Sequence, residues 1–274
     1  MKMVEINSSL QSPLDFALSE RDRDIKRKIE AAIQTGNICL AYQPVVTSKA
    51  QDRVAFYEGL IRILDEDGQV LPAGDFMHVA ETRESGRIID CLALEAGLAA
   101  LAQEPALRLS INISARTIGY SRWMESLERG LHANPTAAER LILEITEASA
   151  MAVPDLVSNF MEDLHCRGIS FALDDFGAGY TAFRYFKDFY FDILKVDGQF
   201  IRDIDQDTNN QVLASALVSI GQHFDMLTVA ESVETPAEAA FLASAGFDCL
   251  QGYHFGRPTI HPYWQSREKI RAAG

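Results

Sequence analysis

Cysteine is scarce in this chain of 274 residues, and its cysteines are widely separated. They are Cys39, Cys91, Cys166 and Cys249. A disulfide framework or a zinc site would need closer or more numerous cysteines, so we predict four reduced thiols in a cytoplasmic protein. The sequence also lacks the apolar run of about eighteen residues that a membrane-spanning helix needs. Its first residues do not show the basic and then apolar pattern of a signal peptide.

Basic residues are outnumbered, because 25 Lys and Arg stand against 39 Asp and Glu and give a net charge of −14. Binding a long nucleic acid requires a basic surface that displaces counterions, so a nucleic acid polymer is not an expected partner. A small anionic ligand could still bind where metal ions or a few Arg and Lys residues screen the acidic charge. The length suffices for one large barrel or two small domains.

The first 36 residues differ in pattern from the rest of the chain. Three apolar residues recur at helical spacing, and a capping-box pattern and a glycine mark the two ends. These residues are Ile25, Ile29 and Ile33 in the stripe, Ser19 and Asp22 at the start, and Gly36 at the end. We predict an amphipathic helix over Ser19–Thr35 after a loose tail. The helix would either lie on the rest of the protein or meet a partner.

From Ile38 onward, short apolar or β-branched runs alternate with helical stretches. The predicted strands are Ile38–Gln43, Arg53–Ile61, Arg108–Ile113, Arg140–Ile145, Ile169–Asp174, Phe191–Val196, Met226–Glu231 and Phe247–Gln251. The predicted helices include Ile88–Ala102, Pro154–Arg167, Asn209–His223 and Pro236–Ala245. Eight strands interleaved with helices predict an α/β fold, a (β/α)8 barrel over residues 37–263, with a C-terminal helix or tail over 264–274. A doubly wound open sheet is the alternative on pattern alone.

Polar residues recur where the predicted strands end. They are Glu58, Asn112, Glu144, Asp174, Asp175, Lys195, Glu231 and Gln251. The C-terminal strand ends of a barrel converge on one face, where active sites are built, so these side chains are expected to share a pocket. Any one of them could be an ordinary solvent contact, but chance does not readily explain seven successive strands ending in this way.

Five of these residues are carboxylates, and a pocket that collects them must hold cations or protons. Two unit charges about 4 Å apart repel by about 4 kcal/mol at an effective dielectric near 20. Carboxylate and amide oxygens without His or Cys favour Mg²⁺ or Mn²⁺ over zinc. Asp174 and Asp175 could bridge two such ions, which activate water and stabilise the leaving oxygen in phosphodiester hydrolysis. Lys195 could orient the water or neutralise phosphate charge.

Eight motifs, in this order, resemble those of the EAL domain family. They are Tyr42-Gln43-Pro44, Glu58-Gly59-Leu60-Ile61-Arg62, Asn112-Ile113-Ser114-Ala115-Arg116, Glu144-Ile145-Thr146-Glu147, Asp174-Asp175-Phe176-Gly177-Ala178-Gly179-Tyr180, Lys195-Val196-Asp197, Ala230-Glu231-Ser232-Val233-Glu234-Thr235 and Gln251-Gly252-Tyr253-His254-Phe255-Gly256-Arg257-Pro258. The resemblance implies a TIM-like barrel of EAL type with an N-terminal helical extension. It also implies a stand-alone phosphodiesterase that hydrolyses cyclic di-GMP to linear 5′-pGpG with two Mg²⁺ or Mn²⁺ ions. Calcium should inhibit, because its longer and more flexible coordination fits poorly where Mg²⁺ demands an octahedron.

The resemblance assigns roles to individual residues. The first metal would be held by Glu58, Asn112, Glu144 and Asp174, and the second by Asp174, Asp175 and Glu231. Glu231 would also be the general base, Lys195 would contact the water or the phosphate, and Glu234 would support Lys195. Glu147 would anchor the loop after the fifth predicted strand. The expected substrate contacts are Gln43, Leu60, Arg62, Phe255, Pro258 and Gln251, although Phe255 could equally be a core residue.

Three departures from the family pattern leave every metal ligand in place. Gly59 replaces an Ala and adds backbone freedom, Ser232 replaces a Gly and restricts φ unless it lies at negative φ, and Thr181-Ala182 replaces a Ser-Ser pair. A catalytically weak cyclic di-GMP receptor is therefore the alternative function. A different metal-dependent barrel enzyme with a Lys base is a further alternative.

The resemblance also implies a homodimer, paired through Phe176–Phe186 and Asn209–His223. The second segment carries four apolar residues, Val212, Leu213, Leu217 and Ile220. These residues could instead do no more than cover the barrel. Gly177 and Gly179 make the first segment intrinsically mobile, so it would benefit from support by a partner subunit.

Overall fold

The computed structural model describes residues 13–65, 67–177 and 189–265, and residues 13–18 by their backbone alone. Its strands are β1 (Ile38–Thr47), β2 (Val54–Leu64), β3 (Val70–Pro72), β4 (Leu109–Asn112), β5 (Leu141–Thr146), β6 (Ser170–Phe176), β7 (Ile193–Val196), β8 (Leu227–Ala230) and β9 (Cys249–Gln251). Its α-helices are α1 (Pro13–Thr35), α2 (Ala73–Ala80), α3 (Glu84–Gln103), α4 (Ser121–Ala133), α5 (Glu147–Ala152), α6 (Pro154–His165), α7 (Thr208–His223) and α8 (Pro236–Ala245).

Eight of the strands close into a barrel in the order β1-β9-β8-β7-β6-β5-β4-β2, and β1 pairs with β2 to complete the ring. The TIM-like barrel prediction is therefore confirmed, and an open sheet is excluded. The short strand β3 was not predicted; it forms a hairpin with the end of β2 outside the ring. β3 has only three residues, and so short a segment shows too little alternation of apolar and polar residues to indicate a strand.

The first strand runs against its neighbours. β1 pairs antiparallel with both β2 and β9, whereas the other neighbours in the ring are parallel. β2 continues to Leu64, so the prediction that Glu58 ends its strand is wrong. The pairing of β2 with β4 nevertheless stops at Gly59, because β2 then pairs only with β1 and β3. Glu58 thus lies at the barrel rim although it is in the middle of its strand.

The N-terminal helix begins earlier than predicted. α1 starts at Pro13, a residue suited to the first helical turn, so Ser19 lies inside the helix and is not its cap. The predicted end is confirmed, because Gly36 adopts the positive φ of +73° that a C-cap favours. Ile25 and Ile29 are buried in a cluster with residues of β2, α2 and α3, so the helix packs against the rest of the protein.

The end of the described chain also packs on the barrel. Trp264 is buried, and its ring makes edge contacts with Tyr42 of β1 and Tyr57 of β2 at 5.0 and 5.1 Å between centroids. Residues 266–274, most of the predicted tail, lie outside the described residues.

Candidate active site

An apolar floor inside the barrel supports the polar residues above it. The floor consists of Val45, Phe56, Ile142, Ala172, Ile193, Val229 and Cys249, with the partly buried Ala55 against it. Six floor residues stand two positions before a predicted site residue, in the pairs Phe56/Glu58, Ile142/Glu144, Ala172/Asp174, Ile193/Lys195, Val229/Glu231 and Cys249/Gln251. Side chains two apart in a strand lie on the same face, so the polar residues form the next layer of the barrel interior.

Lys195 lies at the centre of this polar layer and is almost completely buried. Its Nζ is 2.7 Å from Glu231 Oε1, 2.8 Å from Glu144 Oε2, 2.8 Å from Asp174 Oδ1 and 3.4 Å from Glu58 Oε2. A single ammonium group therefore faces four carboxylates that lie in, or directly after, four different strands. One positive charge cannot balance four negative charges, so the cluster favours additional cations or protons.

Amide side chains hold Glu58 in position. Asn112 Nδ2 donates a hydrogen bond of 3.2 Å to Glu58 Oε1, and Gln251 Nε2 donates one of 2.5 Å to Glu58 Oε2. Gln251 Nε2 also lies 3.3 Å from Gln43 Oε1. The antiparallel register of β1 sets Gln43 directly opposite Glu58, which explains how a residue of the first strand reaches this layer.

Burial and mutual repulsion raise the pKa values of three carboxyls in the site. Burial raises the pKa of Glu144 well above its ordinary value, and Glu58 adds to this effect. Burial also raises the pKa of Glu231 to about 8, with Lys195 opposing and Asp174 adding to the rise. The pKa of Asp175 rises to about 6 through burial and the charge of Asp174.

The same charges act in the opposite direction on the ammonium of Lys195. Burial lowers its pKa, but Asp174, Glu144, Glu231 and Glu58 together outweigh burial and hold it well above its ordinary value. Lys195 therefore stays charged throughout the physiological range.

Two overlapping groups of carboxylates have the spacing of metal sites. Ligand oxygens of Glu58, Glu144 and Asp174 lie within 4.8 Å of one another, and so do those of Asp174, Asp175 and Glu231. Glu144 Oε1 is buried and accepts no hydrogen bond from the described residues, which leaves it free for a cation. These oxygen donors fit Mg²⁺ or Mn²⁺, and Asp174 belongs to both groups.

A cavity of about 630 Å³ opens above the carboxylates. Five predicted substrate contacts line it, namely Gln43, Leu60, Arg62, Gln251 and Pro258. Phe255, the sixth, is not among its lining residues, because its ring packs against the main core. Tyr253 lines the cavity instead and is 54% exposed, with the Arg257 guanidinium 4.6 Å from its ring centroid. No alternation pattern in the sequence distinguishes Tyr253 from Phe255, because the two positions are two residues apart.

The end of β6 and the first residue after it have positive φ angles. Asp175 has φ +54°, and Gly177 has φ +96°. Gly177 N donates a hydrogen bond of 3.0 Å to Glu147 Oε2, the contact expected of a residue that anchors the loop after β6. A non-glycine residue in the left-handed region costs about 1–2 kcal/mol, and such strain is often found at functional sites. Thr181-Ala182 and most of Phe176–Phe186 lie outside the described residues.

The two remaining departures from the family pattern sit differently in the structure. Ser232 has φ +58°, so it adopts the strained left-handed conformation instead of negative φ. Gly59 is tightly packed, because a Cβ there would be 3.2 Å from both Leu40 Cδ1 and the Ser110 carbonyl oxygen. An Ala at position 59 would therefore require its neighbours to shift by a few tenths of an ångström.

Glu234 is exposed at the cavity wall and is not among the four carboxylates that pair with Lys195. A residue that was not predicted, Glu238, fixes this wall instead. Its Oε2 accepts hydrogen bonds from the backbone N–H groups of Glu234 and Thr235, and its Oε1 accepts one from Asp203. Glu238 thereby ties the loop after β7 to the loop after β8. The capping-box spacing from Thr235 to Glu238 is the sequence signal that identifies it.

Replacing Glu238 with Gln should lower the free energy of unfolding at pH 7 by about 1–3 kcal/mol, because an amide cannot accept all three hydrogen bonds. Burial raises the pKa of Glu238, but these backbone hydrogen bonds outweigh it and lower the pKa below 4.5. The stabilisation is therefore present above pH 4.5 and is lost as the pH falls through the folded-state pKa. Urea unfolding of both proteins from pH 7 to pH 3 should show curves that converge in acid. A constant difference would contradict this role, and the exposed Glu125→Gln variant is the control.

A second unpredicted residue supports the loop that follows Asn112. Asp90 of α3 is buried beside the cavity, and its Oδ2 accepts hydrogen bonds from Ser114 N at 3.1 Å and Thr117 Oγ1 at 2.5 Å. Burial raises the pKa of Asp90 to about 6, against the effect of these two donors.

The fold and the site together define a barrel protein with two overlapping carboxylate clusters beneath an open cavity. The EAL domain family matches residues 26–258. The chain belongs to this family.

Individual relatives agree with this assignment. The chain is 30% identical over 237 residues to the "probable cyclic di-GMP phosphodiesterase PdeN" of Escherichia coli, covering 85% of this chain and 45% of that protein. Its fold matches the FimX EAL domain of Pseudomonas aeruginosa bound to c-di-GMP, with a TM-score of 0.79, 25% identity, and coverage of 87% of this chain and 97% of that one. It also matches the MucR phosphodiesterase in complex with c-di-GMP, from P. aeruginosa, with a TM-score of 0.75, 28% identity, and coverage of 89% and 99%.

The chain spans less than half the length of the curated relatives it matches first. None of the helices in the described parts of the chain combines the length and the apolar character that crossing a membrane requires.

Proposed function

We propose that this protein is a cyclic di-GMP phosphodiesterase that cleaves one phosphodiester bond and yields linear 5′-pGpG. The observation that carries the proposal is the pair of carboxylate groups that share Asp174 directly beneath the cavity. Two divalent cations, Mg²⁺ or Mn²⁺, would fit these groups, with Asn112 completing the first. The family membership and the cyclic di-GMP named for PdeN, FimX and MucR support the choice of substrate.

Bound cations of this kind activate water and stabilise the oxygen that leaves phosphorus. Glu231 would take a proton from the attacking water, since its carboxyl lies at the end of β8 and faces the same layer as Lys195. Lys195 would hold its four carboxylate partners at fixed spacing and offer positive charge to the phosphate. Arg62 would contact a phosphate through charge-assisted hydrogen bonds, and Leu60 and Pro258 would supply apolar contacts to the bases. Glu147 would act indirectly, by holding Gly177 and with it the end of β6, which carries Asp175.

The test is incubation of the purified chain with cyclic di-GMP, followed by chromatographic separation of nucleotides. We expect 5′-pGpG with Mg²⁺ or Mn²⁺, no product after chelation, and inhibition when Ca²⁺ is added. Intact cyclic di-GMP under every metal condition would overturn the proposal, and full turnover after chelation would overturn the part played by metals.

A catalytically weak receptor is the second candidate function, and the strained backbone of Ser232 beside Glu231 is the observation that favours it. Equilibrium dialysis with cyclic di-GMP, alongside the turnover assay, distinguishes the two candidates. Binding without turnover would favour the receptor. In that case Ser232→Gly, which removes the strain, should restore hydrolysis.

We also propose a homodimer, in the cytoplasm, whose interface includes α7. Leu217 is buried against the barrel, but Val212 and Leu213 on the same helix are 70% and 47% exposed. Covering the barrel therefore accounts for only part of the apolar set of this helix. Light scattering at micromolar concentration should give the mass of a dimer, and Val212→Asp with Leu213→Asp should give a monomer. Specific activity should fall with dissociation, and a wild-type monomer with full activity would contradict the proposal.

A further inference from the structure

Three of the described residues that line the cavity are cationic, and only one of them has a side chain without a partner. Lys195 faces four carboxylates. Arg62 is largely buried, donates a hydrogen bond to the carbonyl of Ile61, and interacts with Glu58. Arg202 is exposed, and its guanidinium has no hydrogen bond or ion pair with the described residues.

Arg202 and Arg62 stand on opposite walls of the cavity. Arg62 is in β2, and Arg202 follows β7 by six residues. In the closed ring, β2 and β7 are four positions apart in either direction, so the barrel interior separates the two walls. The cavity therefore presents one guanidinium from each side, with the carboxylates and Lys195 between them.

The backbone of Arg202 is fixed although its side chain is not. Its N–H donates a hydrogen bond of 3.0 Å to the Gly198 carbonyl, and its flanking residue Ile201 is buried. Asp203, with φ +54°, donates its N–H to Glu238 Oε1 at 2.9 Å. The guanidinium thus projects from a well-anchored turn, which lowers the entropic cost of holding a ligand there.

Gly198 has both Arg202 and Ser232 as neighbours. A Cβ at Gly198 would lie 4.0 Å from Arg202 Nε and 2.5 Å from Ser232 Oγ. Arg202 Nε and the Ser232 side chain therefore lie near each other, and both residues line the cavity.

A dinucleotide with two phosphates meets an electrostatic difficulty in this cavity. The cavity is lined by many acidic side chains, which include Glu58, Asp90, Asp174, Asp175, Glu231 and Glu234. Cations held by the carboxylate groups would offset the charge of the phosphate under attack, but the other phosphate would need a separate positive group. A guanidinium is suited to this purpose, because it stays charged and matches two phosphate oxygens at once.

We propose that Arg202 binds the phosphate of cyclic di-GMP that is not cleaved. This inference rests on the proposed function, because cyclic di-GMP is its ligand. Arg202 contacts none of the expected metal ligands, so it acts on binding of the substrate and not on the phosphorus under attack.

The test compares Arg202→Ala with Arg108→Ala. Arg108 is also exposed, but it directly precedes β4 and so lies at the end of the barrel opposite the cavity. Arg108→Ala therefore removes the same charge from the protein, away from the site. We expect Arg202→Ala to raise KM for cyclic di-GMP about ten- to a hundredfold, the range of a charged hydrogen bond, with kcat within about threefold of wild type. Arg108→Ala should match wild type, and Arg202→Lys should recover part of the loss because an ammonium still pairs with phosphate.

Two further ligands distinguish a contact with the uncleaved phosphate from contacts with other parts of the substrate. Bis(p-nitrophenyl) phosphate has a single phosphodiester, so its hydrolysis should be unchanged in Arg202→Ala. Guanosine has the base without phosphate, so it should inhibit wild type and Arg202→Ala equally. A fall in bis(p-nitrophenyl) phosphate hydrolysis would overturn the inference in favour of the reacting phosphate, and weaker guanosine inhibition would overturn it in favour of the base. An unchanged KM of Arg202→Ala for cyclic di-GMP would show that Arg202 has no role in binding the substrate.

These outcomes are distinct from failure of the proposed function. If the wild-type chain binds cyclic di-GMP without cleaving it, the hydrolysis proposal fails, and the same variants are compared by Kd from equilibrium dialysis. A Kd for Arg202→Ala that is ten- to a hundredfold weaker would still support the phosphate contact. An unchanged Kd would overturn it.

Discussion

Replacing Asp174 with Asn should abolish hydrolysis of cyclic di-GMP. Asp174 is the one carboxylate common to both groups, so the substitution removes a negative charge from each expected cation while preserving the shape of the side chain. A cation contributes several kcal/mol to stabilising a phosphoryl transition state, and about 4 kcal/mol corresponds to about a thousandfold in rate. We therefore expect a loss of at least about a thousandfold in kcat.

The measurement pairs turnover with calorimetric titration of Mn²⁺. The variant should bind Mn²⁺ with weaker affinity at both sites and keep a wild-type circular dichroism spectrum, which excludes misfolding as the cause. Asp163→Asn, an exposed position on α6, is the matched control and should behave as wild type. Near-normal hydrolysis by Asp174→Asn would contradict the two-cation assignment.

Replacing Glu231 with Ala should separate binding from chemistry. A positioned general base contributes about 10²–10⁴-fold, and the loss of an expected cation ligand adds to this figure. Substrate binding should largely persist, because Arg62 and the group formed by Glu58, Glu144 and Asp174 remain. Lys195 also keeps three of its four carboxylate partners, so the polar layer should stay assembled.

Single-turnover kinetics and equilibrium dialysis of cyclic di-GMP would follow the two effects independently. The expected result is a slow chemical step with a Kd within about tenfold of wild type. Glu125→Ala, on the exposed side of α4, controls for the loss of one acidic charge. Wild-type turnover by Glu231→Ala would show that Glu231 is neither the base nor a ligand, and a lost affinity with an unchanged chemical step would assign it to binding alone.

The sequence by itself determined the alternation of strands and helices and the composition of the polar layer. Period-two alternation places the residue two positions after each buried strand residue on the same face, so Ile142 and Glu144, or Ile193 and Lys195, must share the barrel interior once the strands form. Parallel strands joined by helices bring their ends to one face, and this local rule was enough to collect Glu144, Asp174 and Glu231. Glu58 is the exception, because it lies in the middle of β2 and reaches the rim only where the pairing of β2 with β4 stops. The end of α1 at Gly36 was also predictable, because it depends only on nearby residues.

Other features depended on contacts between residues far apart in the chain, and only the tertiary structure decided them. β1 pairs with β9, about two hundred residues later in the chain, so the approach of Gln43 to Gln251 could not be predicted from local pattern. Tyr253 lines the cavity and Phe255 does not, because the Phe255 ring packs against the main core.

Backbone conformation and loop support were likewise settled by the assembled fold. Ser232 is held at positive φ by the loops around it, although its own preference is for negative φ. The bond from Glu238 to Asp203 joins two loops that approach each other only after the barrel closes. Local propensities determine which residues enter the barrel, whereas closure of the ring determines which of them meet, because the contacts that complete the site join segments that are distant in sequence.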